Sequence, residues 1–204
     1  TGKGQFTKQG KVNLDSDQYT ECLSVCDINN DGFQDIAISQ KGSGSDSINI
    51  FLANPDSAFE RQSKCVVDDG LDDMNAYDYN QDNIIDLLIS NPDEAHISFL
   101  QGNGDGSFQN PEIYSADIEN QSLHSNAFNN DGLLDVSTSS RDMIYLFKSD
   151  SNNRFLQPDL IGPGNYSEFI QSGDFNNDGF NDMVITNGDD SIRSEERRVG
   201  KECI

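Results

Sequence analysis

The residues most able to do chemistry here are short oxygen donors crowded into one stretch. Positions 27 to 35 read DINNDGFQD, placing Asp27, Asn29, Asp31 and Asp35 at places 1, 3, 5 and 9 of a loop, with Gly32 at place 6. A calcium ion takes about six to eight oxygens at about 2.3–2.6 Å, and a short loop supplies them by wrapping around it. Asp and Asn suit places 1, 3 and 5 because their oxygens lie close to the backbone. Place 7, here Phe33, offers its carbonyl, and place 9 a further carboxylate. Place 6 must turn sharply, which glycine does without a Cβ penalty. Without an ion, two carboxylates about 5 Å apart repel by roughly 3 kcal/mol at an effective dielectric of about 20, so a divalent cation is their natural partner.

Three relatives follow. DYNQDNIID offers Asp78, Asn80, Asp82, the Ile84 carbonyl and Asp86. AFNNDGLLD offers Asn129, Asp131, the Leu133 carbonyl and Asp135, and DFNNDGFND offers Asp174, Asn176, Asp178, the Phe180 carbonyl and Asp182. In the second loop Asn83 replaces the glycine, and Asn is the next most tolerant of a left-handed backbone. In the third, Ala127 replaces the first ligand, so that loop is expected to bind weakly or stay empty. Asp at places 1, 5 and 9 with Asp or Asn at place 3 is expected about 0.1 times by chance in this composition. It occurs three times. An EF-hand needs Glu at its twelfth place and flanking helices. Here that place holds Ile38, Ile89, Thr138 or Ile185, each in a strand-like run, so the EF-hand reading fails.

The loops start 51, 49 and 47 residues apart. A second mark keeps step with them: turns ending in Phe6, Phe59, Phe108 and Phe155. Two marks with one period define an internal repeat. Between marks each unit reads as four short strands, as in MNAY, DLLIS, HISFL and FQNPEIY of the second unit, or SLHSNAF, DVSTS, MIYLF and RFLQPDL of the third. Four antiparallel strands in under about fifty residues make one propeller blade, which must stack on neighbours to bury its faces. The expected architecture is all-β, a β-propeller fragment of about three complete four-stranded blades plus part of a fourth. Residues 1–17 would give the last strand of a preceding blade and a linker. Blades would span 18–66, 67–117 and 118–163, with part of a fourth at 164–192.

The chain has 204 residues, 36 acidic against 13 basic, and a net charge of −23. Nucleic acid is a poor partner for such a surface, since phosphate binding needs Lys and Arg clusters. Asp outnumbers Glu 27 to 9, which favours tight oxygen-lined turns over an ordinary solvated acidic surface. No apolar run reaches the length of a membrane span, and nothing at the start reads as a signal peptide. Cys22, Cys26, Cys65 and Cys203 lack the paired spacing of a zinc site; a disulfide among the first three and free buried thiols both remain open. His96 and His124 fall in strand-like runs with no evident partner. GNGDGSF precedes no helix and reads as a hairpin turn, not a phosphate cradle. Asn120 and Asn165 fit glycosylation sequons at the frequency chance supplies. No nucleophile–base constellation stands out, so no catalytic residues and no enzyme activity are expected.

DINNDGFQDIAIS, DFNNDGFNDMVIT and FLQGNGDGSF resemble the FG-GAP/VCBS repeat, the blade of integrin α-subunit-like β-propellers, over residues 1 to 192. The match is closer to the VCBS form, since the Gly-Ala-Pro signature of integrin repeats is missing. The resemblance implies that each loop joins a blade's first two strands and holds a structural Ca2+. It also implies a longer, perhaps seven-bladed, parent. Residues 193–203, RSEERRVGKEC, resemble a translated sequencing adapter and, with Ile204, are set aside from functional reasoning. The expected function is a calcium-binding segment of an extracellular or cell-surface adhesion or recognition protein, meeting a protein or glycan ligand through the parent propeller. The alternative is a propeller scaffold of a carbohydrate-active enzyme or lectin.

Overall fold

A computed structural model describes residues 12–15, 18–42, 45–54, 57–115, 122–129, 131–140, 143–150, 152, 154–163, 170–186 and 192–195. Short aliphatic and β-branched runs, punctuated by Gly, Pro, Asn and Asp, form strands throughout. The first sheet takes β1 (Leu23–Cys26), β2 (Asp35–Gln40), β3 (Ser47–Asn54) and β4 (Ser57–Val66). The second takes β5 (Met74–Tyr77), β6 (Asp86–Asn91), β7 (His96–Leu100) and β8 (Glu112–Ser115), with one 3-10 turn at Pro92–Glu94. The third takes β9 (Leu123–Asn126), β10 (Asp135–Ser139), β11 (Met143–Phe147) and β12 (Asp159–Pro163), and the fourth β13 (Ile170–Gly173), β14 (Asp182–Thr186) and β15 (Ile192–Glu195).

Each sheet is an antiparallel meander in chain order: three of four strands and a last one of three. This is the all-β propeller segment that the repeat implies. The first strands touch in sequence, β1 to β5, β5 to β9 and β9 to β13, so the inner edges line up. Side chains stitch that edge: Ser24 Oγ donates to the Met74 carbonyl at 3.2 Å and Asn75 Nδ2 to the Leu123 carbonyl at 3.2 Å.

The core lies between sheets. Ile28, Ala37, Ile48 and Ile50 of the first unit pack with Val67, Leu71, Met74, Leu87, Ile89 and Leu100. On the other side of the second sheet, Leu88, Ile97 and Phe99 join Leu123, Val136, Phe147 and Phe155. Strand alternation makes this possible: Leu87 and Ile89 face one neighbour and Leu88 the other. All six residues of β6 are buried. Phe128, Ile144 and Leu146 meet Ile170, Met183 and Ile185 at the last interface. On the other face of the first sheet Phe51 is buried, while Leu23 and Val25 of β1 are exposed.

Two sequence expectations shift. The phenylalanine marks of the second and third units do not begin strands. Phe108 and Phe155 make isolated bridges to Gly102 and Ser149, and β8 and β12 start only after Pro111 and Pro158, residues that cannot donate to a ladder. Within 1–17 only residues 12–15 are described, and they form no strand; Phe6 lies outside the described residues. The last sheet reaches into the terminal segment, since β15 spans 192–195 and pairs with β14. An open strand edge pairs with the backbone that follows it, whatever its side-chain composition.

Candidate metal-binding loops

Register fixes where every loop begins and ends. Cys26 pairs with Asp35, Tyr77 with Asp86, Asn126 with Asp135 and Gly173 with Asp182. Places 1 to 8 therefore span the gap between a blade's first two strands, and place 9 opens the second strand.

Inside the first loop, side-chain oxygens turn inward onto backbone amides. The Asp31 N–H donates to Asp27 Oδ1 (3.0 Å) and Asn29 Oδ1 (3.1 Å), Gly32 N–H to Asp27 Oδ2 (2.8 Å), and Phe33 N–H to Asp31 Oδ1 (2.9 Å). The second loop repeats this with Asp82, Asn83 and Ile84 as donors and Asp78, Asn80 and Asp82 as acceptors, at 2.8–3.0 Å. The fourth repeats it with Asp178, Gly179 and Phe180 donating to Asp174, Asn176 and Asp178 at 2.8–3.0 Å. The third keeps only the Asn129 and Asp131 contacts, at 2.9 and 2.8 Å, because Ala127 has no oxygen to offer.

Asn83 at place 6 has φ 65°, positive like the 85–90° of its glycine counterparts. Place 4 is left-handed as well: Asn30, Gln81 and Asn177 have φ 59–60°. The nine-residue pattern gave no reason to single out that place.

These loops can be tested for fit to an oxygen-seeking cation. The place 1 and place 3 oxygens both lie on the same amide nitrogen, so they converge, and each retains a second lone pair. Asp31, Asp82 and Asp178 are drawn to the same cluster through the amides of Asn29, Asn80 and Asn176, at 2.9, 2.9 and 3.1 Å. Loops one, two and four thus present three converging oxygen donors that suit a hard ion. Loop three presents two. Among the described residues no three His, Cys, Asp or Glu side chains form a metal-holding group. Place 9 is what stands apart.

Place 9 is a staple. Buried Asp35 accepts the Ile28 amide on Oδ2 (2.9 Å) and the Ala53 amide on Oδ1 (2.7 Å). Asp86 does the same with Tyr79 (3.2 Å) and Gly102 (2.9 Å), and Asp135 with Phe128 (3.2 Å) and Ser149 (3.0 Å). Asp182 accepts the Phe175 amide at 3.1 Å. Burial pushes the Asp86 carboxyl up to about 6, with Gly102 and Tyr79 opposing and Asp82 and Asp78 adding to it. Burial likewise raises Asp135.

The residue stapled at place 2 is a knob. Ile28, Tyr79 and Phe128 are buried, each in the cluster shared with the following sheet. Tyr79 also bonds Ser125 Oγ through its hydroxyl at 2.7 Å. Phe175, in the last described sheet, is 58% exposed. An apolar residue inside a polar loop was the signal for this role. Place 4 carries another: Asn30 Nδ2 donates to the Asn83 carbonyl (2.6 Å), and Gln81 Nε2 to the Gly132 carbonyl (2.8 Å). The loops are tied side by side.

Residues outside the loops take structural places. His96 and His124 are strand residues, but both have partners: His96 Nδ1 lies 3.3 Å from the Glu94 carbonyl oxygen, and His124 Nε2 lies 2.7 Å from Ser172 Oγ. GNGDGSF is a hairpin turn between β7 and β8, closed by the Asn103 N–H on the Ser107 carbonyl at 3.0 Å. A Cβ on Gly102 would sit 2.2 Å from the Ile85 carbonyl oxygen, so that position requires glycine. Cys22, Cys26 and Cys65 are free thiols packed against the first core, and burial pushes Cys22 and Cys26 up to about 11. Cys203, Asn120 and Asn165 lie outside the described residues. No helix among the described residues is long and apolar enough to cross a membrane.

The FG-GAP-like repeat model matches residues 78–136 and 127–185. A search of curated proteins finds no match. Among solved structures, the crystal structure of BBS1N in complex with ARL6DN, soaked with lead, aligns with a TM-score of 0.60 at 12% identity, over 93% of this chain and 53% of that one. The mercury-soaked form of that complex gives 0.61 at 11%, over 92% and 53%. The chain thus spans about half the length of those chains. Likeness at this identity carries the fold alone.

Proposed function

This chain belongs to the FG-GAP-like repeat family, and from that premise we propose that it is a calcium-stabilised propeller segment of an extracellular adhesion or recognition protein. One observation carries the reading: in three loops of four, the side chains at places 1 and 3 converge on one amide, with the place 5 carboxylate beside them. Asp27, Asn29 and Asp31, Asp78, Asn80 and Asp82, and Asp174, Asn176 and Asp178 would hold the ions. Bound calcium would supply the positive charge that each acidic cluster lacks. The chain's own residues do the rest: place 9 fixes the loop to its blade, and place 2 locks the blade to the next.

The role is structural rather than catalytic. Every place 9 carboxylate accepts backbone amides, as a scaffold group does. Extracellular calcium modules work at about 10⁻⁴ to 10⁻³ M, which favours a location where such levels prevail. A protein ligand is the partner class we favour, since the BBS1N fold neighbour is seen in complex with a protein, ARL6DN. Calorimetric titration with calcium tests the metal reading. Three binding events and a melting temperature lowered by chelator are the expected result; no heat and no shift would remove it.

A further inference from the structure

We infer that the first two loops take up metal as a coupled pair, linked by the Asn30 side chain on the Asn83 carbonyl. The inference rests on the calcium reading above and adds to it a dependence between sites.

The path is short. Asn30 sits between Asn29 and Asp31 at φ 59°, so the ordering of that triad sets the backbone from which its side chain projects. Its Nδ2 reaches the Asn83 carbonyl at 2.6 Å. The peptide unit that bears this carbonyl also carries the Ile84 N–H, which donates to Asp82 Oδ1 at 2.8 Å. Ordering the first cluster therefore holds the peptide whose amide positions a ligand of the second. A loop already held loses less freedom when its ion arrives, which is positive coupling without a change of shape. Coupling between binding sites is reciprocal, so an ion in the second loop must strengthen the first by the same factor. The span a single net hydrogen bond supports is about two- to ten-fold in affinity. Gln81 makes the corresponding link one repeat on, to the Gly132 carbonyl at 2.8 Å.

Sequence supplies a reporter. Tyr79 is the sole tyrosine in the four nine-residue loops, so terbium(III) excited through tyrosine reads the second loop. Four chains are titrated with terbium: wild type, Asp31→Asn, Asn30→Gly and the double variant. Glycine removes the amide while keeping the positive φ, and far-ultraviolet circular dichroism restricts the comparison to folded chains. Asp31→Asn is expected to weaken second-loop affinity by about two- to ten-fold. In the Asn30→Gly background the same substitution is expected to change nothing further. Terbium binding whose affinity is the same in wild type and Asp31→Asn overturns the coupling and leaves the metal reading intact. No terbium emission and no calcium heat in wild type overturn both.

Discussion

Asp35 and Ala53 stand 18 residues apart in the chain, and a 2.7 Å hydrogen bond from the Ala53 amide to Asp35 Oδ1 joins them. The other oxygen of the same carboxylate holds Ile28. One side chain thus ties the loop, the start of β2 and the far end of β3 together. A ligand reading of place 9 does not require this arrangement; a scaffold reading does.

Asp35→Ala should therefore destabilise the chain in chelator as well as in calcium. Leaving buried amides without an acceptor costs about 1–3 kcal/mol each, so about 2–5 kcal/mol is expected for the pair. Asp35→Asn, which keeps one acceptor, should lose roughly half as much. Urea unfolding in both buffers measures it, and a loss confined to calcium buffer would argue against the staple.

Calcium removal should lower the melting temperature by about 8–16 °C. At a free concentration about ten times its dissociation constant, each ion contributes about 1.4 kcal/mol. Three such sites give about 4 kcal/mol, and about 1 kcal/mol shifts a chain of this size by about 2–4 °C. Ala127→Asp restores the missing oxygen of the third loop and is expected to raise the calorimetric stoichiometry from three to four.

The place 2 knobs should matter according to what covers them. Tyr79 makes edge contacts with Phe99 and Phe155 and is 2% exposed, so Tyr79→Ala should cost about 3–5 kcal/mol. Tyr79→Phe, losing only the bond to Ser125, should cost about 1 kcal/mol. Phe175→Ala, at a 58% exposed site, should cost well under the Tyr79→Ala value. Chemical denaturation of the three variants ranks them.

The cysteines give a pH signature. Cys22 and Cys26 rise from an ordinary 9.0 to about 11 through burial. The folded chain holds those protons longer than the unfolded one, so stability should fall as pH rises from about 9 to about 11. Near neutral pH their thiolate fraction should be about a hundred-fold below that of a free thiol. Alkylation timed by mass spectrometry, native against urea-unfolded, reads the difference.

Much of this was written in the sequence. Loop places 1, 3, 5 and 9, the period near fifty and the four-stranded units are carried by residue type and spacing, so the propeller was legible before any coordinates. What was not legible depends on the third dimension. Nothing local says that Asp35 reaches Ala53, or that Asn30 reaches Asn83 of another repeat. Ile28, Tyr79 and Phe128 did carry a local signal, being apolar amid oxygen donors, yet their burial against the following sheet is a stacking property. The late starts of β8 and β12 follow Pro111 and Pro158, whose effect on the ladder the phenylalanine marks concealed.

The complete burial of β6, set against the exposed Leu23 and Val25 of β1, has a kinetic consequence. Arrays whose units contact only their neighbours open from poorly covered members toward well covered ones. Amide protons of Leu87 to Ile89 should be the slowest to trade with deuterium, and those of β1 among the quickest. The stack would then come apart as a fan closes, leaf by leaf from its rim.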